Sequence, residues 1–393
     1  MKQKGKPIRK NVFWMSTVSY FTDFSSEMLM PILPVFYESL GINKTFIGII
    51  EGFAESFSNF IKVFSGYISD KIKKRKLFIV AGYSIPALIK PFYIFATGWL
   101  FVFIVRFIER SGKGFRDPPR DALIASSSEK KFFGLAFGFQ RMMDTMGAVT
   151  GVLVLSIILF FFPGTLKPLF LIAFIPGVIS FSIAARKVKE DHLLRKNHKT
   201  IKLTHIRSLP GAYMFFLIPT FIFAIGNMSY AFFILRAQDL GLSVALVPII
   251  YLLYTVTYAV TAIPAGKLSD KIGKIPTLIM GNMFFIAACT LYMITLPIQF
   301  SWVPFILYGL FFAFNISIAK AYITTVVHSR LHATAIGLHN FIIGICALPA
   351  SFFVGYLWDT FGVRIAFGYS IILAGISALL YLFMLFHPKG RVR

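Results

Sequence analysis

The residues most able to do chemistry in this chain are ionisable groups set inside long apolar stretches. Asp23 and Glu27 stand four apart in one such stretch, and Glu51 and Glu55 four apart in the next. That spacing puts each pair on one face of a helix. Arg106, Glu109, Arg110, Lys113, Arg116, Asp117, Arg120 and Asp121 crowd a further stretch around Pro118 and Pro119, and Arg141 stands one turn from Asp144. A charged side chain at membrane depth costs roughly 2.5–3.5 kcal/mol on insertion scales and persists only if it is paired or faces water. A carboxylate held there is a natural proton carrier. Asp23 and Glu27 are the first candidates for that work, Arg141 and Asp144 form a neighbouring pair, and Glu55 comes next. Arg106, Arg110 and Arg141 are of the type that holds an anion.

The elements that must position these groups follow from composition. Of 393 residues, 57% are hydrophobic and 14% charged, with 46 Phe, and the mean hydropathy is +0.74. A soluble globule does not have this composition. Apolar runs of about 18 residues or more succeed one another with short polar breaks, so the chain reads as crossing a bilayer repeatedly. Unpaired amides are too costly in lipid, and the fold class is therefore all-α. The net charge of +24 suggests nucleic acid as a partner. That reading is rejected, because the cations lie in alternating breaks, as the positive-inside bias produces. Cys289 and Cys346 fall inside apolar segments and read as reduced packing residues, with no metal or disulfide framework. No small-residue cleavage site follows the basic Met1 to Lys10, so the first apolar stretch is kept as a helix.

Twelve helices are expected, over 12–40, 44–69, 77–97, 98–126, 132–162, 167–185, 211–237, 243–267, 275–297, 300–327, 333–357 and 362–386. Odd-numbered breaks are nearly bare of Lys and Arg, whereas even-numbered breaks and both ends are rich in them. The even breaks and both termini are therefore placed in the cytoplasm. The tract from Arg186 to Arg207 is the longest polar segment. It divides the chain into a six-helix bundle over 1–185, a basic linker over 186–210 and a second six-helix bundle over 211–393. Within the helices, Pro31 and Pro34 are expected to bend the first, Lys62 to reach toward the cytoplasmic surface, and Gly134, Gly138, Gly147 and Gly151 to allow close helix approach.

The stretch Gly66-Tyr67-Ile68-Ser69-Asp70-Lys71 returns 200 residues later as Gly266-Lys267-Leu268-Ser269-Asp270-Lys271. Each copy begins with a Gly read as standing at a helix end, and each is followed by further bases. The same offset sets Glu27-Met28 against Asn227-Met228, Arg120 against Lys320 and Glu55 against Thr255. At 199 it sets Gln140-Arg141 against His339-Asn340. The halves share a scaffold, but the charges at membrane depth cluster in the first, and the second holds neutral polar counterparts. A repeat of this kind in a chain of many spans marks folds with two pseudo-symmetric halves.

This doubled pattern resembles the loop signature of the major facilitator superfamily of secondary transporters. Ser25-Ser26-Glu27-Met28 with Pro31 and Pro34, and Gly112-Lys113-Gly114-Phe115-Arg116 through Pro119-Arg120-Asp121-Ala122, resemble a bacterial subgroup of generic permeases. Lys73 stands where the signature has Gly, and Gly273 restores it in the second copy. Gly147 and Gly151 match part of the family's antiporter motif, with Val152 at its Pro position. The resemblance spans the chain and implies two six-helix bundles working as one monomer in a bacterial inner membrane. It implies alternating access to a small organic solute, with protons as the coupling ion.

The expectation is proton-coupled efflux of a drug or metabolite. Import of an anionic metabolite or carboxylate siderophore is the alternative, and a receptor that has lost transport is a third. Asp23, Glu27, Glu51, Glu55, Arg106, Glu109, Arg110, Arg141, Asp144, Asn227, His339 and Asn340 are assigned to the cavity. Gly66, Asp70, Lys71, Arg116, Arg120, Asp121, Gly266, Asp270, Lys271 and Lys320 are assigned to a cytoplasmic gate. Structural accounts compete with each: a helix–helix hydrogen bond for Asp23 and Glu27, an ion pair within one helix for Arg141 and Asp144, and plain hydrogen bonding for His339. An enzyme is not expected. There is no H-E-x-x-H, no Cys-His grouping and no phosphate loop, since Phe107 stands where Gly112-Lys113-Gly114 would need an earlier Gly. No cofactor is expected either.

Overall fold

The computed structural model describes residues 8–72, 74–129, 132–164, 166–190, 209–294, 297–328 and 331–386, apart from the side chains of Asp70, Ser317 and Ala333. Among the described residues every regular element is helical: α1 Lys10–Glu27, α2 Leu33–Ser39, α3 Lys44–Ile72, α4 Arg75–Ile89, α5 Trp99–Ser126, α6 Phe133–Phe161, α7 Leu166–Lys187, α8 Gly211–Gly226, α9 Tyr230–Asp239, α10 Val247–Ile272, α11 Lys274–Met293, α12 Val303–Val326, α13 His332–Phe361 and α14 Val363–Phe386. Short 3-10 turns precede α10 and α12, and another, Lys90–Phe95, follows α4. Nine helical stretches among the described residues are long and apolar enough to cross a membrane. The long helices outside that group are α1, α3 and α5. They hold most of the ionisable residues singled out above.

Two expected continuous helices are broken, at matching places in the two halves. The chain turns between Glu27 and Leu33, where Leu29 N and Ile32 N donate to carbonyls only three residues back, at 3.0 Å each. Pro31 has no N–H to continue the α ladder. Pro34 then sits in the first turn of α2, where a missing donor costs nothing. In the second half the break falls at 227–229 without any Pro, and the Ser229 side chain accepts from Ala231 N at 3.3 Å to cap α9.

The repeated motif is helical rather than a loop, which corrects the reading of its glycines as helix ends. α3 runs past Gly66 to Ile72, and α10 past Gly266 to Ile272. The stop in the second copy is Gly273, at φ +97°, a conformation that favours glycine. Gly66 has a packing reason instead, since a Cβ there would stand 3.3 Å from Pro118 Cβ on α5. Lys73 and most of the linker, 191–208, lie outside the described residues.

The chain forms two units, 1–42 with 53–197, and 43–52 with 198–393. In the first, α1 packs on α6 and α7, and α4 packs on α5 and α7. Glycines set these approaches. A Cβ on Gly147 or Gly151 would stand 2.2 Å or 2.4 Å from the Tyr20 or Phe24 carbonyl oxygen of α1, and one on Gly82 would stand 2.6 Å from Arg116 Cβ. Gly134 and Gly138 meet nothing described within 4 Å, so only the later part of the expected glycine stripe is a contact. Glu190, just past α7, accepts from Arg75 N at 3.1 Å and Lys76 N at 2.8 Å, and so caps α4.

In the second unit α11 packs on α12 and α14, α10 on α12, and α8 on α13 and α14. The first turns of α3 belong to this unit. A Cβ on Gly48 would stand 2.1 Å from Ser351 O, and one on Gly355 2.3 Å from Lys44 O. Asp359 accepts from Thr45 N at 2.7 Å and from Thr45 Oγ1 at 2.6 Å.

Candidate functional site

Two helices of the first unit, α3 and α5, each carry a polar stripe at helical spacing. On α3 it comprises Glu55, Ser58, Asn59, Lys62, Ser65 and Ser69. On α5 it comprises Arg106, Arg110, Lys113, Asp117 and Arg120. Gly114 lets the stripes meet: a Cβ there would stand 2.7 Å from Ser58 O, and Ser65 Oγ donates to Gly114 O at 2.8 Å. The result is a ladder of charges. Arg106 Nη1 donates to Glu109 Oε2 at 2.9 Å. Arg110 Nη2 lies 3.9 Å from Glu55 Oε2, and Lys62 Nζ lies 3.7 Å from Asp117 Oδ2. Asp117 also meets Arg116 at 3.6 Å and Arg120 at 3.8 Å, and Arg120 Nε donates to Asp121 at 2.9 Å. Lys62 also bonds Asn59 Oδ1 at 3.1 Å.

A second polar group joins α1, α4 and α6. Tyr83 OH shares a hydrogen bond with Ser19 Oγ at 3.1 Å, and its ring lies 4.7 Å beneath the Arg116 guanidinium. Gln140 Nε2 donates to Ser19 Oγ at 2.5 Å and to Asp144 Oδ1 at 2.8 Å. Asp144 is thus held by Gln140. Among the described contacts Asp144 has no ion pair with Arg141, which is exposed. Asp23 is half-buried on α1, one turn beyond Ser19 and one turn before Glu27. Glu27 is the last residue of α1 before the break.

The other assigned residues take no part in the contacts given above. Glu51 is buried, but it sits in the turns of α3 that belong to the second unit. Asn227 lies in the α8–α9 break with its Oδ1 buried and unpartnered among the described residues. His339 is buried and stacked on Phe216, ring centroids 6.0 Å apart, beside an exposed Asn340. Lys71, Lys271 and Lys320 are exposed, Asp270 pairs with Lys274 at 3.7 Å, and the Asp70 side chain is outside the described residues.

Two buried cations escaped the sequence reading. Lys90, 1% exposed, donates to Ser25 Oγ at 2.5 Å and Ser26 Oγ at 3.2 Å, just before the α1 break. Its signal was present, since it is a lysine deep within an apolar stretch. Arg236 on α9 donates from Nε to Tyr292 O at 2.9 Å, so the second half also holds a buried charge.

Comparisons with known proteins bear on the architecture. A sequence profile described as the Major Facilitator Superfamily matches residues 13–348. An uncharacterized MFS-type transporter of Methanocaldococcus jannaschii is 36% identical over 388 residues, covering 97% of this chain and 96% of the relative. A second one from the same organism is 24% identical, covering 95% and 97%. Among solved structures, the nucleoside transporter NupG superposes with TM-score 0.77 at 14% identity, covering 98% of this chain and 99% of that one. A bacterial homolog of the human lysosomal transporter Spinster, in an inward-facing and occupied conformation, also gives 0.77, at 15% identity and 99% coverage of both chains. At these identities the structures speak for the fold alone. With nine apolar helices long enough for a bilayer among the described residues, a repeat across two halves and a profile match over most of its length, this chain belongs to the Major Facilitator Superfamily.

Proposed function

We propose that the chain exports a small organic solute by alternating access, driven by protons. Membership of a transporter superfamily makes it an integral membrane protein of the secondary-transporter class; the coupling ion and direction are inferred here. The observation that carries the coupling is the chain from Ser19 through Gln140 to Asp144, which ties an acid of α6 to α1 one turn before Asp23. Asp23 and Asp144, on helices that pack together, are the seat assigned to an exchangeable proton. The seat lies beside the break in α1, so a change in its charge acts on a discontinuous helix. Export is inferred from the partial match of Gly147 and Gly151 to the family's antiporter motif, from which Val152 departs at the Pro position. Basic even-numbered breaks support cytoplasmic termini, in a single-chain transporter of a bacterial inner membrane.

Proteoliposomes loaded with a pH-sensitive dye and offered a panel of cationic, neutral and anionic solutes test the coupling. A transported solute is expected to move protons, and Asp23→Asn to abolish that movement while solute binding survives. Solute transport indifferent to an imposed pH gradient would end the proton reading.

A further inference from the structure

We propose that the transported solute is a dipolar ion, a small molecule with an ammonium and a carboxylate close together, as in a free α-amino acid. Its two charges are taken by Glu55 and by Arg110 with Lys113. This rests on the transport reading above and names its substrate class.

Neighbouring rungs of the ladder differ in kind. The Arg106–Glu109 pair is closed, with the two side chains 1% and 7% exposed and 2.9 Å apart. Tyr93 OH donates to the same carboxylate oxygen at 3.1 Å, and Arg106 Nη2 also reaches Met30 Sδ at 3.4 Å. Opening it would leave charges buried, which makes it a fixed part of the structure. Glu55 is the opposite case. Its side chain is 43% exposed, with Arg110 at 3.9 Å and Asn59 Nδ2 donating at 3.4 Å. Contacts of that length are weak, and a half-buried carboxylate held at these distances can accept further hydrogen bonds.

The signs around Glu55 select the ligand. Arg110 lies 3.9 Å from it, Lys113 follows about one turn along α5, and Lys62 bonds the Asn59 amide that donates to Glu55. A solute bearing only an ammonium would gain Glu55 but meet these cations. A solute bearing only a carboxylate would gain Arg110 and Lys113 but lie against Glu55. A molecule with both charges satisfies both sides, placing its ammonium on Glu55 and its carboxylate on the α5 cations. Rejection of the singly charged forms comes from the same residues.

The test uses full-length protein in lipid nanodiscs at a single pH. Norleucine and phenylalanine are titrated, each beside its methyl ester (cation), its N-acetyl form (anion) and its N-acetyl amide (neutral). At least one free amino acid is expected to bind on the order of tenfold tighter than its blocked forms. Glu55→Gln is expected to remove the preference over the anion, and Arg110→Gln the preference over the cation. The exchange Glu55→Arg with Arg110→Glu is expected to restore a dipolar preference, which a purely structural role would not do. Unliganded melting temperatures report folding, and if Arg110→Gln does not fold, Glu55→Gln and the exchange decide. Binding by neither free amino acid, or a blocked form binding as tightly, overturns the proposal. No gradient is present in nanodiscs, so failure of proton coupling in vesicles would leave this result standing.

Discussion

The α3–α5 seam of the first unit and the α10–α12 seam of the second are the same design with opposite chemistry. Both close on a glycine. A Cβ on Gly114 would stand 2.7 Å from Ser58 O, and one on Gly309 2.7 Å from Tyr254 O. Around the first glycine lie ion pairs, and around the second lie rings. Tyr254 packs on Phe312 at 5.3 Å and on Tyr308 at 5.4 Å, and Tyr258 on Phe312 at 6.2 Å. Thr255 stands in the place of Glu55. Nearby, Asn315 donates to Asn282 at 3.0 Å and Asn282 to Ser377 at 3.1 Å, a neutral chain. Close approach at a glycine is thus common to the two seams, at positions that the 200-residue offset does not align, while the side chains around it are ionic in one and aromatic in the other. A proton or a charged solute has something to act on in the first unit that this part of the second lacks.

The comparison is open to attack, most forcefully at the closed ion pair. Arg106→Leu strands Glu109 in a buried site and is expected to cost about 3–5 kcal/mol. Replacing both members, Arg106→Leu with Glu109→Met, should recover most of the loss. Reversible unfolding in mixed micelles reads both, and a double variant as unstable as the single would remove the charge-stranding explanation. Gly114→Leu and Gly309→Leu are expected to cost alike, about 1–3 kcal/mol or more through overpacking. A large loss for one and none for the other would show that the seams do not share their backbone contact. Smallest are the side-chain layers. Tyr254→Leu should cost about 1 kcal/mol through lost ring packing, and Lys62→Gln no more than about 1 kcal/mol, since Asp117 retains Arg116 and Arg120. A cost for Lys62→Gln well above that for Tyr254→Leu would make the ladder a stability element rather than a responsive one.

Much of the architecture was legible in the residues. Long apolar runs leave the backbone no choice but helix, and the 200-residue repeat of Gly-x-x-x-Asp-Lys exposed the two halves. The aligned Glu27 and Asn227 proved to sit at matching helix breaks. The Gly66 and Gly266 reading failed, because a motif shows that a turn is near without showing which glycine has the positive φ; that glycine is Gly273. Arg141 and Asp144 share a helical face by spacing. Which partner Asp144 takes depended on Ser19 of α1 holding the Gln140 amide in place. Glu51 and Glu55 are one turn apart, yet they fall in different units, a division that no local pattern carries.

The sequence alone determined that this is a helical membrane protein of two related halves with its charges concentrated in the first, because the cost of exposing amides or ions to lipid leaves few alternatives. Only the tertiary structure decided which of those charges are locked and which are open. That choice depends on what the surrounding helices present within about 4 Å, Tyr93 and Met30 beside Arg106 and Glu109, and only the longer contacts of Arg110 and Asn59 given for Glu55. Spacing along a single helix does not specify such a partner.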